Sequence, residues 1–139
     1  MPHARPQDLA PGGGGRWPNA GEQFRSEQWG DMEVGFTTVH EPLDCTEHYK
    51  AGGLAGGVCP CPHYGYVFSG SVRASYPGTG QPDEKAVAGE VYFFPAGHIL
   101  HYDDPATVLE INPAFALGQC MDAMARGAAS RGRAAPAGT

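Results

Sequence analysis

With 139 residues the chain fits one domain, because domains most often run to ~100–150 residues and a second core would have nothing left to build from. Its 9 Lys and Arg stand against 15 Asp and Glu, a formal charge of -6 without a basic run, which excludes the electrostatic footprint of a nucleic-acid binder. No stretch approaches the ~20 apolar residues a membrane helix requires and the N-terminus lacks the pattern of a secretory signal, so no membrane partner is expected and the cytoplasm is the expected compartment.

In chain order, residues 1–20 carry Pro2, Pro6, Pro11, Pro18 and a run of glycines at 12–15, too few apolar groups to offset the entropy of ordering; a disordered arm is expected there. The domain proper is expected over 21–126. Within it, 32–39, 63–68, 71–76, 85–88, 91–94 and 107–111 are aromatic or β-branched and read as short strands. Ser69-Gly70 predicts a tight hairpin and residues 77–83 a longer polar loop, a spacing that argues for an antiparallel sandwich or barrel. His40 and His48 lie among Glu41, Asp44, Glu47 and Lys50 and read as a solvated loop. Residues 114–126 predict a short helix, with Phe115, Leu117, Met121 and Met124 roughly on one face and Pro113 at its start. Residues 127–139, built of Ala, Gly, Arg, Ser and Pro, read as a flexible tail.

Four cysteines, Cys45, Cys59, Cys61 and Cys120, are expected to stay reduced in the cytoplasm, with Cys120 read as a small buried hydrophobe. The densest chemical signal is Cys59-Pro60-Cys61-Pro62-His63, where metal-ligand types alternate with prolines. Were the segment extended, all three side chains would share one face. A second cluster, Pro95-Ala96-Gly97-His98-Ile99-Leu100-His101, adds two imidazoles. Cys and His donors favour zinc, and imidazole-rich sites also hold iron, nickel or copper; a single Cys-x-Cys without a second pair disfavours a zinc finger.

These residues carry a family resemblance. The stretch His63-Tyr64-Gly65-Tyr66-Val67-Phe68-Ser69-Gly70 resembles the end of the first cupin motif, and Gly89-Glu90-Val91-Tyr92-Phe93-Phe94-Pro95-Ala96-Gly97 is similar to the second. Together with the Cys-x-Cys-Pro-His run, they liken residues 32–126 to small single-domain, RmlC-like bacterial cupins. The resemblance implies an all-β fold, a cupin-type antiparallel β-barrel or double-stranded jelly roll with a short C-terminal helix. It implies a divalent metal, for which Cys59, Cys61, His63 and His98 are the candidate ligands with His101 the alternative to His98, a small-molecule ligand or substrate in the barrel mouth, and a homodimer paired through sheet edges. The usual first-motif ligand positions fall here on Gly57, Cys59 and His63, and the second-motif histidine position on Leu100, with His98 and His101 to either side. Tyr64, His101 and Glu110 are the candidate acid–base residues. The expected activity is that of a metal-dependent isomerase, lyase or dioxygenase, the alternative being a non-catalytic binding or sensing module.

Overall fold

The computed structural model describes residues 2–134. Nine strands are assigned among them: β1 (Phe24–Trp29), β2 (Met32–Val39), β3 (Leu43–Asp44), β4 (His63–Ser69), β5 (Ser71–Ser75), β6 (Glu84–Val87), β7 (Val91–Phe94), β8 (Ile99–Tyr102) and β9 (Ala106–Pro113). Helix α1 (Thr46–Ala51) follows β3, and α2 (Ala114–Ala134) follows β9. The strands form two antiparallel sheets, ordered β1-β2-β9-β4-β7 and β3-β8-β5-β6. This is the expected double-sheet jelly roll, with two separate sheets in place of a closed barrel. No helix among the described residues is long and apolar enough to cross a membrane.

Side-chain alternation sets the core. In β4, His63 and Val67 point inward while Tyr64, Tyr66 and Phe68 point out; in β5, Val72 and Ala74 point inward and Arg73 outward. The hairpin expected at Ser69-Gly70 is a corner instead. Strands β4 and β5 belong to different sheets, and Gly70, at φ 72°, turns the chain from one to the other. A Cβ there would lie 2.1 Å from the Pro105 carbonyl oxygen, so only glycine fits the corner.

Three expectations are corrected at the chain ends and in the loop between them. The arm expected to be disordered is laid along β1: Gly12 N–H donates to Phe24 O at 2.7 Å and Ser26 N–H to Ala10 O at 2.9 Å. Two large side chains supply the missing apolar anchorage, since Leu9 is 2% exposed and Trp17 3%. The Trp17 indole N–H donates to Asp122 of α2 at 2.8 Å, and Arg16 lies 4.3 Å over the Trp17 ring while pairing with buried Glu33 at 2.5 Å. The short helix expected over 114–126 runs to Ala134, through most of the segment expected to be a flexible tail; residues 135–139 of that tail lie outside the described residues. Leu117, Cys120, Met121 and Ala123 form its buried face, and Phe115 is turned to solvent. The loop carrying His48 contains α1, which packs on α2 and buries Tyr49.

Trp17 is therefore expected to hold the N-terminal strap in place. Trp17→Ala should lower unfolding free energy by about 3–5 kcal/mol in urea titration; an unchanged midpoint would mean that the arm contributes no packing.

Candidate metal centre

The two motif segments meet through their backbones. Pro60 and Pro62 have no N–H to give, so the segment before β4 pairs only through Cys59, whose N–H donates to His98 O at 2.8 Å while Gly97 N–H donates to Cys59 O at 2.8 Å. That bridge sets Cys59 opposite His98, and the inward alternation of β4 adds His63. The ligand atoms of these three buried residues all lie within 4.8 Å of one another. Cys59 Sγ is 3.8 Å from His63 Nε2, and the two imidazole centroids are 4.6 Å apart.

Each imidazole is oriented from behind. His98 Nδ1 lies 2.7 Å from the Pro95 carbonyl, which can only accept, so the proton sits on Nδ1 and Nε2 carries a lone pair. That Nε2 is buried and has no hydrogen-bond partner. His63 Nδ1 is 3.3 Å from Glu110 Oε1, an ion-pair contact off the line of a hydrogen bond. Glu110 is itself fixed, accepting from Tyr92 Oη at 2.6 Å and from Asn112 Nδ2 at 3.0 Å. Gly65 makes this possible: a Cβ there would come within 2.3 Å of the Tyr92 ring, which crosses Gly65 to reach Glu110.

The electrostatics favour a thiolate at Cys59. The Cys120 sulfhydryl beside it, foremost, and then His63 bring the Cys59 thiol down to about 3 against the opposing effect of burial. Cys120, donating to that sulfur and buried, is pushed well up and keeps its proton. Burial works against charge on His63, but Glu110 and the neighbouring thiols hold it well above the ordinary imidazole range.

Of the four residues expected as ligands, the structure brings Cys59, His63 and His98 together and leaves Cys61 outside that group. The chain bends at Cys61 and its N–H turns back to Cys59 Sγ at 3.4 Å, so the period-two alternation is lost. Its thiol, raised by burial, lies 3.2 Å from the Pro62 carbonyl. Of the acid–base candidates, only Glu110 reaches the site. Tyr64 is 48% exposed on the outer face, its ring tilted against Phe93 with centroids 4.9 Å apart. His101 faces away because Leu100 and Tyr102 take the inward positions of β8; its Nε2 meets Ser75 Oγ at 2.8 Å and its Nδ1 lies 3.2 Å from Asp44, which ties β5, β8 and β3 together. Tyr92, Asn112 and Cys120 were not singled out for the site by the sequence; the one available signal was the spacing of Glu110 and Asn112, two polar residues on the same face of a strand.

A cavity of about 490 Å³ opens beside this group, with His63 and Glu110 in its wall and apolar surface from Val39, Leu100, Leu117 and Met121. Residues 19–24 and His48 stand at its border.

No protein-family model matches the chain, and no curated protein does. Among solved structures, it is similar to a protein of unknown function from Rhizobium leguminosarum, at 15% identity and TM-score 0.50 over 81% of this chain and 95% of that one. It is also similar to a cupin-2 domain protein from Shewanella frigidimarina (14% identity, 65% of this chain and 78% of that one, TM-score 0.44) and to the EutQ protein of Clostridium difficile (19%, 59% and 56%, 0.42). The chain spans under two thirds of the EutQ proteins it matches, 59% of the Salmonella typhimurium protein and 56% of the clostridial one. The Rhizobium likeness shows a shared fold.

The support given to Glu110 predicts unequal effects for two tyrosines. Tyr92→Phe leaves a buried carboxylate oxygen without its donor and should cost about 1–3 kcal/mol of stability. Tyr64→Phe should stay within about 0.5 kcal/mol. Equal effects in urea titration would contradict the placement of either ring.

Proposed function

We propose that this chain is a metal-dependent enzyme of the cupin fold that acts on a small organic molecule bound in the cavity beside Cys59, His63 and His98. The observation that carries the reading is the buried His98 Nε2 lone pair, which has no partner and faces a thiolate and a second imidazole. A buried acceptor left unpaired costs about 1–3 kcal/mol, and a metal ion relieves that cost. One thiolate and two imidazoles suit zinc; iron, nickel and copper accept the same donors. Three protein ligands leave a position for substrate or water, as catalytic zinc sites do.

When bound, the ion supplies Lewis-acid chemistry, polarising a substrate oxygen or thiol or activating water. The chain's own residues do the rest. Glu110 orients His63 from Nδ1 and leaves Nε2 toward the cluster, Tyr92 and Asn112 fix Glu110, and the Pro95 carbonyl sets the tautomer of His98. The apolar wall excludes water from the substrate. Isomerisation, elimination and dioxygen chemistry all fit such a site.

A second reading, a closed site in a non-catalytic binding or sensing module, is favoured by one observation. Cys120 lies against Cys59, and Cys61 is also near His63, so a further sulfur is at hand to close the shell. We also place the protein in the cytoplasm, supported by its four free, buried thiols. A homodimer is proposed on the strength of Tyr64, Tyr66, Phe68, Val91 and Phe93, exposed together on the outer face of the five-stranded sheet.

Protein purified without a histidine tag or chelator should carry close to one metal ion per chain by elemental analysis. His63→Ala, His98→Ala and Cys59→Ala should lose it, while His101→Ala and Cys61→Ala should keep it. Metal-free native protein that cannot be reloaded under reducing conditions would end the metalloenzyme reading. Glu110→Gln should weaken metal affinity by about 10–100-fold in a chelator competition. With cobalt loaded, a shift of the visible spectrum on adding imidazole would mark an open position, and an unmoved spectrum the closed site.

A further inference from the structure

We infer that the cavity beside the metal group selects an uncharged, largely apolar ligand of about two-ring size and rejects carboxylates and phosphates. That this ligand is the substrate rests on the reading above; the charge selection does not.

The cavity, at about 490 Å³, has the volume of a small-molecule site. Its wall is carried by Phe24, Leu43, Leu100, Leu117, Met121 and Met124, and no lysine or arginine lines it among the described residues. The basic side chains nearest in sequence to that wall are engaged elsewhere. Arg16 pairs with Glu33, Arg25 with Glu22 and the Leu9 carbonyl, Lys50 with Glu47, and Arg126 donates to the Gly52 carbonyl. An anionic ligand would leave water for a cavity whose one raised imidazole, His63, is already paired with the Glu110 carboxylate, so its charge would enter without a free partner, a transfer that costs several kcal/mol per unpaired ion. A divalent ion bound nearby does not reverse this, because the Cys59 thiolate and the Glu110 carboxylate offset its two charges.

A cationic ligand fares no better. The obvious partner, Glu110, already accepts from Tyr92 and Asn112 and pairs with His63, so most of its charge is compensated before a ligand arrives. What remains is a wall that is mostly apolar. An uncharged molecule with an apolar body and a single hydroxyl, carbonyl or thiol matches that distribution.

Two probes of one shape separate the terms: 2-naphthol, uncharged at pH 7, and 2-naphthoate. Fluorescence titration of the full chain, with metal content measured on the same sample, should show saturable 2-naphthol binding at least about tenfold tighter than 2-naphthoate. Met121→Trp should abolish it by filling the cavity, with folding checked by its thermal melt. Met124→Lys, at a half-buried position where a lysine reaches water, should narrow or invert the preference by supplying the absent cation. Binding of 2-naphthoate as tight as that of 2-naphthol, or no saturable 2-naphthol binding, would overturn the inference. A sample without metal that keeps the preference would defeat the metalloenzyme reading and leave this one standing; a metal-loaded sample without the preference would do the reverse.

Discussion

The pair of backbone hydrogen bonds between Cys59 and the Gly97-His98 segment is the constraint on which the candidate site depends. Cys59 precedes a strand of the five-stranded sheet and His98 precedes a strand of the other, so this single bridge also ties the two sheets at one end. With prolines on either side of Cys61 unable to extend the ladder, the pairing stops there, and the thiolate and the imidazole are held face to face. The Pro95 carbonyl completes the arrangement by taking the one proton His98 has to give, so the nitrogen left over is the one aimed at Cys59 and His63.

Behind that bridge, strand parity does the positioning. Register pairs Gly65 with both Tyr92 and Glu110, which puts a glycine where the tyrosine ring must cross and a carboxylate where its hydroxyl arrives. Asn112, two residues further along β9, falls on the same face and donates to the same carboxylate. A buried carboxylate is costly unless its acceptors are used, and here three groups from three strands use them. The result is a rigid support for His63, built from residues that touch no cavity occupant other than through Glu110.

Much of this was legible in the residues. Strands β2, β4, β5, β7 and β9 stand where aromatic and β-branched runs predict them, and the Cys59, His63 and His98 donors come together as the motif resemblance implies. What escaped did so for physical reasons. Cys61 was read as a ligand from alternation, but alternation requires an extended chain and Pro60 and Pro62 bend it. His101 and Tyr64 fall on outward positions of their strands, a parity that cannot be assigned until the strand ends are known. The N-terminal strap was hidden by composition, since two buried side chains, Leu9 and Trp17, outweigh a run of glycine and proline that has little apolar character of its own. Helix α2 overran its expected end because Ala-rich sequence continues a helix that packs against α1, where Ala123 and Gly127 meet Ala51 and Gly52.

Taken together, the buried thiol, the two oriented imidazoles and the adjoining cavity form the site for which we propose an ion held by three side chains with a neutral molecule beside it. The most direct measurement of that account is X-ray absorption at the edge of the metal the purified protein contains. A first shell of one sulfur at about 2.3 Å and two imidazole nitrogens at about 2.0 Å, with one lighter donor besides, is the predicted result for zinc. A shell of oxygen and nitrogen without sulfur would contradict it, because Cys59 would then stand outside the site.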